Sequence, residues 1–338
     1  MLLITRLFCL IIHLENRIIH QEIHLNIFLT LCSDKSYNFK LNHFKTLCMS
    51  NERLIIPERS RDIGDFLVGR LIPFRKKRMV GPFIFIDHMG PTTIKEGHYM
   101  DVDQHPHIGL STLTYMLEGE VVHRDSIGTN QRISPGSVNW MVAGKGVTHT
   151  ERTPKDLRNG TEFLAHGYQI WVALPKELEE IPPEFHHIDR KELPNWTDNG
   201  AQFCLVAGKG YGKTSPVPVH SPLFMIEIKT TNQYELKIKG ELEGEIGICI
   251  VKGTIEACGN SIEHGNMLIS KTEDSCAIVL QSNTHIILFG GQPFPEERFI
   301  HWNFVSTDKE KIEIAKNQWK NKEFPKVAND TTYVPLPE

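Results

Sequence analysis

The string His105-Pro106-His107-Ile108-Gly109 runs into an alternating segment over 112–117 that Glu118-Gly119 stops, and its reading decides the fold. It places two strong metal ligands at positions i and i+2. His149-Thr150-Glu151 does the same 42 positions after His107, just beyond the turn Gly144-Lys145-Gly146. On an extended strand, side chains at i and i+2 share a face. Two such strands facing each other would aim three imidazoles and one carboxylate at one point. That donor set suits a first-row transition metal with open coordination positions better than a closed structural zinc. The bland alternative stays open here: His-x-His occurs by chance on exposed strands, and a lone histidine is more often a satisfied core or surface residue. The 42-position offset leaves room for about three or four ordinary strands, the separation that would bring both strings together across a small barrel.

Working outward, short apolar or alternating runs recur at 83–86, 112–117, 138–142, 167–174, 203–206, 224–229, 234–238, 246–252, 277–280 and 285–289. Turn residues such as Ser134-Pro135-Gly136 separate them. Many short strands punctuated in this way predict an all-β sandwich or barrel. Helix is expected in two places only. One is a short turn over 175–180; the other is a helix over 308–320, with Thr307 and Glu310 as capping box and Ile312, Ala315 and Trp319 as apolar stripe. The connector Ile181-Pro182-Pro183-Glu184 divides a first module, 49–180, from a second, 181–338. The second is again strand-rich and ends in that helix, but it lacks both ligand strings.

Residues 1–48 stand apart. They contain no Gly, Ala, Val or Pro, where average usage would place about six Gly and Pro. Met49 then opens a stretch of ordinary composition. The expectation is that 1–48 is a mis-assigned or disordered extension and that the natural product starts at Met49; a targeting presequence would favour Ala. Over the 338 residues, 23% are charged, 40% are apolar and the net charge is −4, which argues against a general nucleic-acid or membrane-surface binder. No apolar run reaches the about 18–20 residues of a membrane span. Seven cysteines show no CxxC spacing, and Cys249 lies within an apolar run over 246–251, so a reducing, cytoplasmic compartment is expected, or a nuclear one in a eukaryote.

The ligand strings sit in longer motifs. Gly81-Pro82-Phe83-Ile84-Phe85-Ile86-Asp87-His88-Met89-Gly90-Pro91 precedes the first, and Trp140-Met141-Val142-Ala143-Gly144 precedes the second. With Gln169-Ile170-Trp171-Val172-Ala173-Leu174-Pro175, Gly212-Lys213-Thr214-Ser215-Pro216 and Trp302-Asn303-Phe304-Val305-Ser306, the chain closely resembles the pirin family of bicupins. The resemblance spans about residues 53–320 and no part of 1–48. It implies two tandem cupin barrels (double-stranded β-helix, or jelly-roll) with few helices and one metal in the first barrel. The family's ligand positions fall on His105, His107, His149 and Glu151. A generic cupin would place its Glu ligand near Ser111 or Thr112 and its last His near Val138–Trp140. This chain departs from that pattern and agrees with pirins.

The family's usual metal is Fe(2+); the same donors tolerate Ni, Mn, Cu or Zn. Glu151 is the only carboxylate among them and is the candidate catalytic base. The resemblance implies quercetin 2,3-dioxygenase chemistry, in which O2 opens a flavonol ring and carbon monoxide leaves. It implies as the alternative an iron-dependent redox sensor and transcription cofactor acting through protein partners, with no physiological turnover. A small aromatic or flavonol-like substrate, no membrane, no direct nucleic-acid contact and a monomeric state complete the expectation. Phe85, Met116, Trp140 and Trp171 could wall a substrate pocket, although core packing is the plainer reading of each. Asp87, His88, His123 and Asp125 are candidates to orient the ligands, His88 foremost because Asp-His belongs to the pirin signature. His123 and Asp125 could equally cap a hairpin that ends at Gly128. His186 and His187 would point to opposite strand faces and stay outside the site. Arg75-Lys76-Lys77-Arg78 reads as a solvated loop before it reads as a partner contact.

Overall fold

The computed structural model describes residues 53–62, 66–160, 162–271 and 277–337. The extension over 1–48 and the expected start at Met49 lie outside them. The first part of the described chain runs β1 (Leu54–Pro57), β2 (Arg59–Asp62), β3 (Leu67–Ile72), β4 (Phe83–Ile94), β5 (Val102–His107), β6 (Leu110–Glu118), β7 (Val121–Asp125), β8 (Asn130–Ile133), β9 (Val138–Val142), β10 (Val147–Arg152), β11 (Phe163–Ala173) and β12 (Glu184–Ile188). The rest runs β13 (Asn195–Asp198), β14 (Ala201–Gly210), β15 (Lys213–Thr214), β16 (Leu223–Thr230), β17 (Tyr234–Glu235), β18 (Glu245–Lys252), β19 (Thr254–Ala257), β20 (Asn260–Glu263), β21 (Asn266–Lys271), β22 (Ile278–Leu280), β23 (His285–Gly291), β24 (Phe299–His301), β25 (Phe304–Ser306) and one helix, α1 (Lys309–Lys320).

Each module pairs a large sheet with a four-stranded one. The first has β12-β9-β6-β11-β4-β3-β2 over β5-β10-β7-β8; the second has β1-β21-β18-β23-β16-β14-β13 over β17-β22-β19-β20. The all-β, two-barrel expectation holds. Alternation explains the layering, because successive strand residues serve opposite faces. On the large sheets, Leu113, Tyr115, Trp140, Tyr168 and Ile170 join Cys204, Met225, Ile287 and Phe289 in one cluster, so the two sheets pack back to back. Their other faces turn inward. In the second module Phe203, Leu205, Ile226, Ile248, Ile286, Leu288 and their neighbours fill the interior with hydrocarbon. The first module buries two smaller apolar clusters, around Phe85 and Trp171 and around Met89 and Met116, together with polar side chains such as His105, His107, Thr114, His123 and His149.

The boundary expected at 180/181 does not follow sheet membership. β12 pairs with β9 in the first module's sheet, and β1 pairs with β21 in the second module's. Chain order is local, whereas an edge strand joins whichever sheet offers an open edge. The capping box expected at Thr307 is also displaced: the N-cap is Asp308, whose side chain accepts from the Glu310 amide. The stripe of Ile312, Ala315 and Trp319 is buried as expected, and the turn over 175–180 is a single 3-10 turn at Lys176–Leu178. Cys204 and Cys249 are buried free thiols, whereas Cys258 is disulfide-bonded, a pairing that the spacing of the cysteines did not suggest. Among the described residues no helix is long and apolar enough to cross a membrane.

Candidate metal centre

Both ligand strings lie on the first module's small sheet, but as hydrogen-bonded neighbours and not as strands facing across the barrel. β5 and β10 are antiparallel, with His149 opposite His105 and Val147 opposite His107. The expected geometry is corrected here: i, i+2 spacing fixes which face a side chain takes, not which strand lies beside it. The outcome still converges. His105, His107 and His149 are 8%, 1% and 0% exposed, and their ligand atoms lie within 4.8 Å of one another. Glu151 groups within the same limit with His149 and His123. The register shifts between His149 and Glu151, and the Thr114 hydroxyl lies 2.8 Å from the Glu151 Oε1, so the carboxylate sits toward the large sheet.

The hydrogen bonds assign which nitrogen each ring presents. His105 Nδ1 donates to the Asp103 carbonyl at 2.7 Å, which leaves Nε2 bare. Asp125 Oδ2 lies 3.0 Å from His123 Nε2, and His123 Nδ1 lies 3.2 Å from His149 Nδ1. With the Asp125 carboxylate as acceptor, His123 donates from Nε2 and accepts at Nδ1. His149 therefore donates from Nδ1 and keeps Nε2 free. That Nε2 lies 3.1 Å from His107 Nε2. With metal–nitrogen bonds of about 2.1 Å, adjacent ligands sit about 3.0 Å apart in octahedral geometry and about 3.4 Å apart in tetrahedral geometry. The donors present fit a transition metal.

Electrostatics agrees. Burial pushes His105 down to about 4, with the Asp103 carbonyl resisting and His123 adding to the fall. His107 and His149 lie well below the ordinary histidine value, through burial first and then through neighbouring imidazoles; the Asn303 backbone partly offsets this at His107. Metal binding requires the neutral rings that this environment favours. Burial raises the Glu151 carboxyl, and His123 and Thr114 pull it back in part.

His105, His107 and Glu151 open into a cavity of about 370 Å³. Phe85 and Trp171, stacked at 3.9 Å and 13°, form one wall, and Arg70 lies over Phe85 while binding Asp87 through two 2.8 Å hydrogen bonds. Trp302, Asn303 and Val334 contribute a further wall from the far end of the chain. Phe85 and Trp171 thus line the cavity, whereas Trp140 belongs to the inter-module core and Met116 is fully buried in another cluster. His88 is also placed elsewhere: it bonds Glu58 at 2.6 Å and His166 at 2.8 Å and stacks on Tyr168, whose ring lies in the inter-module core. Its neighbour Asp87 takes the lumen face instead. His123 and Asp125 are the pair that reaches a ligand. His187 bonds Asn139, and His186 pairs with Glu184, both away from the ligands. Thr114, Arg70 and Val334 were not singled out from sequence, and Gln169 and Trp302 entered only as parts of the motifs that carry the family resemblance, without a place in the site. Of the first three, Thr114, on the predicted strand after the first string, carried a usable signal. A larger recess of about 660 Å³ lies on the second module around Lys209, Lys213 and His220, but among the described residues no group of metal ligands accompanies it.

Comparison with known proteins adds the identity. Residues 66–172 match the pirin family model, and 223–325 match the model of the pirin C-terminal cupin domain. The chain is 41% identical over 290 residues to a pirin-like protein of Caulobacter vibrioides, covering 84% of this chain and 99% of that one. The crystal structure of quercetin 2,3-dioxygenase from Acinetobacter baumannii aligns with a TM-score of 0.77 and 33% identity, covering 85% of this chain and 95% of that one. A bacterial pirin from Escherichia coli in complex with nickel(II), at 23% identity and a TM-score of 0.56 over 72% of this chain and all of that one, shares the fold. Sheet architecture, ligand strings and both halves of the alignment agree: the chain belongs to the pirin family.

Proposed function

We propose that this pirin is a metal-dependent dioxygenase that opens a flavonol such as quercetin, with His105, His107, His149 and Glu151 as the ligands. The observation that carries this reading is that the buried imidazoles of His105, His107 and His149 cluster beside the Glu151 carboxylate, and that His105, His107 and Glu151 line an aromatic-walled cavity. The likeness to a quercetin 2,3-dioxygenase supports the choice of substrate class. A divalent transition metal, iron by family resemblance, would supply Lewis acidity toward an enolic hydroxyl and bring it together with dioxygen. The chain's own residues do the rest. Phe85 and Trp171 offer an aromatic wall to a planar ring, and Arg70 and Asp87 form the polar part of the cavity. Glu151 receives the proton of the substrate hydroxyl, steadied by Thr114. His123 and Asp125 hold His149 in the tautomer that leaves Nε2 free. In the balanced reaction both atoms of O2 enter the ring-opened ester, and one ring carbon leaves as carbon monoxide.

The test is metal analysis of purified protein together with oxygen uptake on quercetin, for wild type and His149→Ala. Stoichiometric metal and oxygen uptake in the wild type, both lost in the variant, are expected. Bound iron without uptake would overturn the enzyme reading in favour of a redox-sensing cofactor of transcription. Absence of any transition metal would overturn both.

A further inference from the structure

Trp302 and Asn303 form the two-residue turn between β24 and β25, closed by the pair His301–Phe304. Tight hairpin turns of this length want left-handed backbone, which Asn, Asp or Gly supply at little cost. Trp302 adopts it nonetheless, with φ at +50°. A bulky residue persists there only where its surroundings over-determine it, and such positions gather at functional sites. Here the surroundings are rigid. Phe304 bridges to Ile108, next to the ligand His107, and the Val305 amide donates to the Ile108 carbonyl at 3.2 Å. Arg298, 3% exposed, donates twice to the Leu174 carbonyl, and Ser306 Oγ donates to Glu179 at 2.7 Å. The hairpin so fixed carries the Trp302 side chain to the cavity that His105, His107 and Glu151 also line. Trp302 is only partly buried, and its ring neighbours, Phe304 and Trp319, lie 5.6 and 6.0 Å away between centroids. Trp302 packs in part against the cluster of Phe304, Trp319 and Phe324, and it also lines the cavity.

We propose that Trp302 is a specificity-determining residue of the metal cavity. It limits how far a planar aromatic ligand seated at the histidine cluster extends, so the site takes hydroxylated aromatics up to the length of a flavonol and disfavours longer rigid polyaryls. The inference rests on the metal-centre reading above, but not on turnover.

The test uses the full chain loaded with a divalent metal and two chelating probes. One is 4-nitrocatechol, whose visible spectrum shifts on binding; the other is a catechol bearing a biphenyl group at position 4, which competes with it. In wild type the biphenyl probe should bind more weakly than 4-nitrocatechol. Trp302→Asn, which relieves the left-handed backbone and removes the indole, should shift the ratio of the two dissociation constants at least tenfold toward the larger probe, with a melting temperature equal to wild type or higher. Trp302→Phe should retain most of the wild-type ratio. An unchanged ratio in Trp302→Asn, or a lowered melting temperature without a change in ratio, overturns the inference and makes Trp302 a packing residue. Failure of wild type to bind 4-nitrocatechol overturns it together with the metal centre. No flavonol is used, so failure of oxygen uptake on quercetin, with the probe ratio shifted as stated, would sink the flavonol reading alone.

Discussion

At Asp125 the two carboxylate oxygens have separate tasks. Oδ1 accepts from the amides of Ile127 and Thr129 at 3.1 and 2.8 Å, and Oδ2 receives His123 Nε2. Asp125 is 2% exposed, and although burial alone would raise its pKa, the hydrogen bonds from His123 and Thr129 hold it below the usual value. Asp125→Asn should preserve the turn, because the amide oxygen can still accept both backbone amides. The amide nitrogen would then face His123 Nε2 and could only donate. That change reverses the tautomer of His123, and after it that of His149, whose Nε2 would carry the proton. Metal affinity should fall about 10–100-fold, as for other losses of a partner behind a ligating histidine. Chelator competition measures it, and an unaltered circular dichroism spectrum shows that the fold is kept. Undiminished affinity would mean that Asp125 serves the hairpin alone.

β5 and β10 supply the ligands, but the elements that close the cavity come from elsewhere. The β24–β25 hairpin docks where β5 ends, at Gly109. Gly109 has φ of +69°, and a Cβ built there would lie 1.9 Å from the Val305 carbonyl oxygen. Gly109→Ala therefore meets two penalties at once, strained backbone and a backbone clash that no rotamer relieves. It should cost about 3 kcal/mol, measured by urea denaturation, and should loosen the wall that holds Trp302. A loss under about 0.5 kcal/mol, the size of an ordinary surface change, would show that the hairpin is not seated as described. Residues 325–337 strap the outer side of the same pair of strands. The Gln104 side chain donates to the Asp330 and Thr332 carbonyls and accepts from the Val327 amide, and Arg152 donates to Asp330 and Thr332. The apolar helix stripe was legible because period 3.6 is local; its place against Phe304 and Phe324 was not.

At the scale of the whole molecule, carboxylates hold the two modules together. Glu58, between β1 and β2, bonds the second module through its amide to Gly265 and the first through its side chain to His88. Glu245 of β18 pairs with Lys77 and accepts from the Gly81 amide, so the basic run over 75–78 is in part an inter-module contact. Glu227, 3% exposed, receives Tyr115 and Arg190 from the first module's side and Lys229 and His285 from its own sheet, at 2.8–3.1 Å. Burial alone would raise its pKa, yet the His285 and Lys229 contacts hold it far below the usual range. Its stabilisation is therefore present above the unfolded-state value of about 4.3 and is lost as pH falls through and below that value. Glu227→Gln should destabilise the chain by about 2–3 kcal/mol at pH 7. That is less than a fully enclosed pair would cost, since Arg190 and Lys229 are half-exposed and can be re-solvated. Denaturation at a series of pH values should show the gap between wild type and variant closing on acidification from about pH 4.3 downward. A gap that stays constant with pH would refute the assignment.

The sequence by itself determined the all-β class, the two-module repeat, the family and the histidines that converge. The class, the repeat and the face shared by each pair of ligand residues follow from signals local to a few residues, namely period-two alternation, turn chemistry and i, i+2 spacing. The family follows from the resemblance of the longer motifs. Only the tertiary structure decided that the two strings are neighbours in one sheet, that Glu151 leans toward Thr114, and that His123 and Asp125, not His88, stand behind a ligand. It likewise decided that a tryptophan 195 positions after His107 walls the cavity. Alternation assigns a residue to a face, but the partner strand and the opposite wall are chosen by long-range packing, which no local pattern encodes.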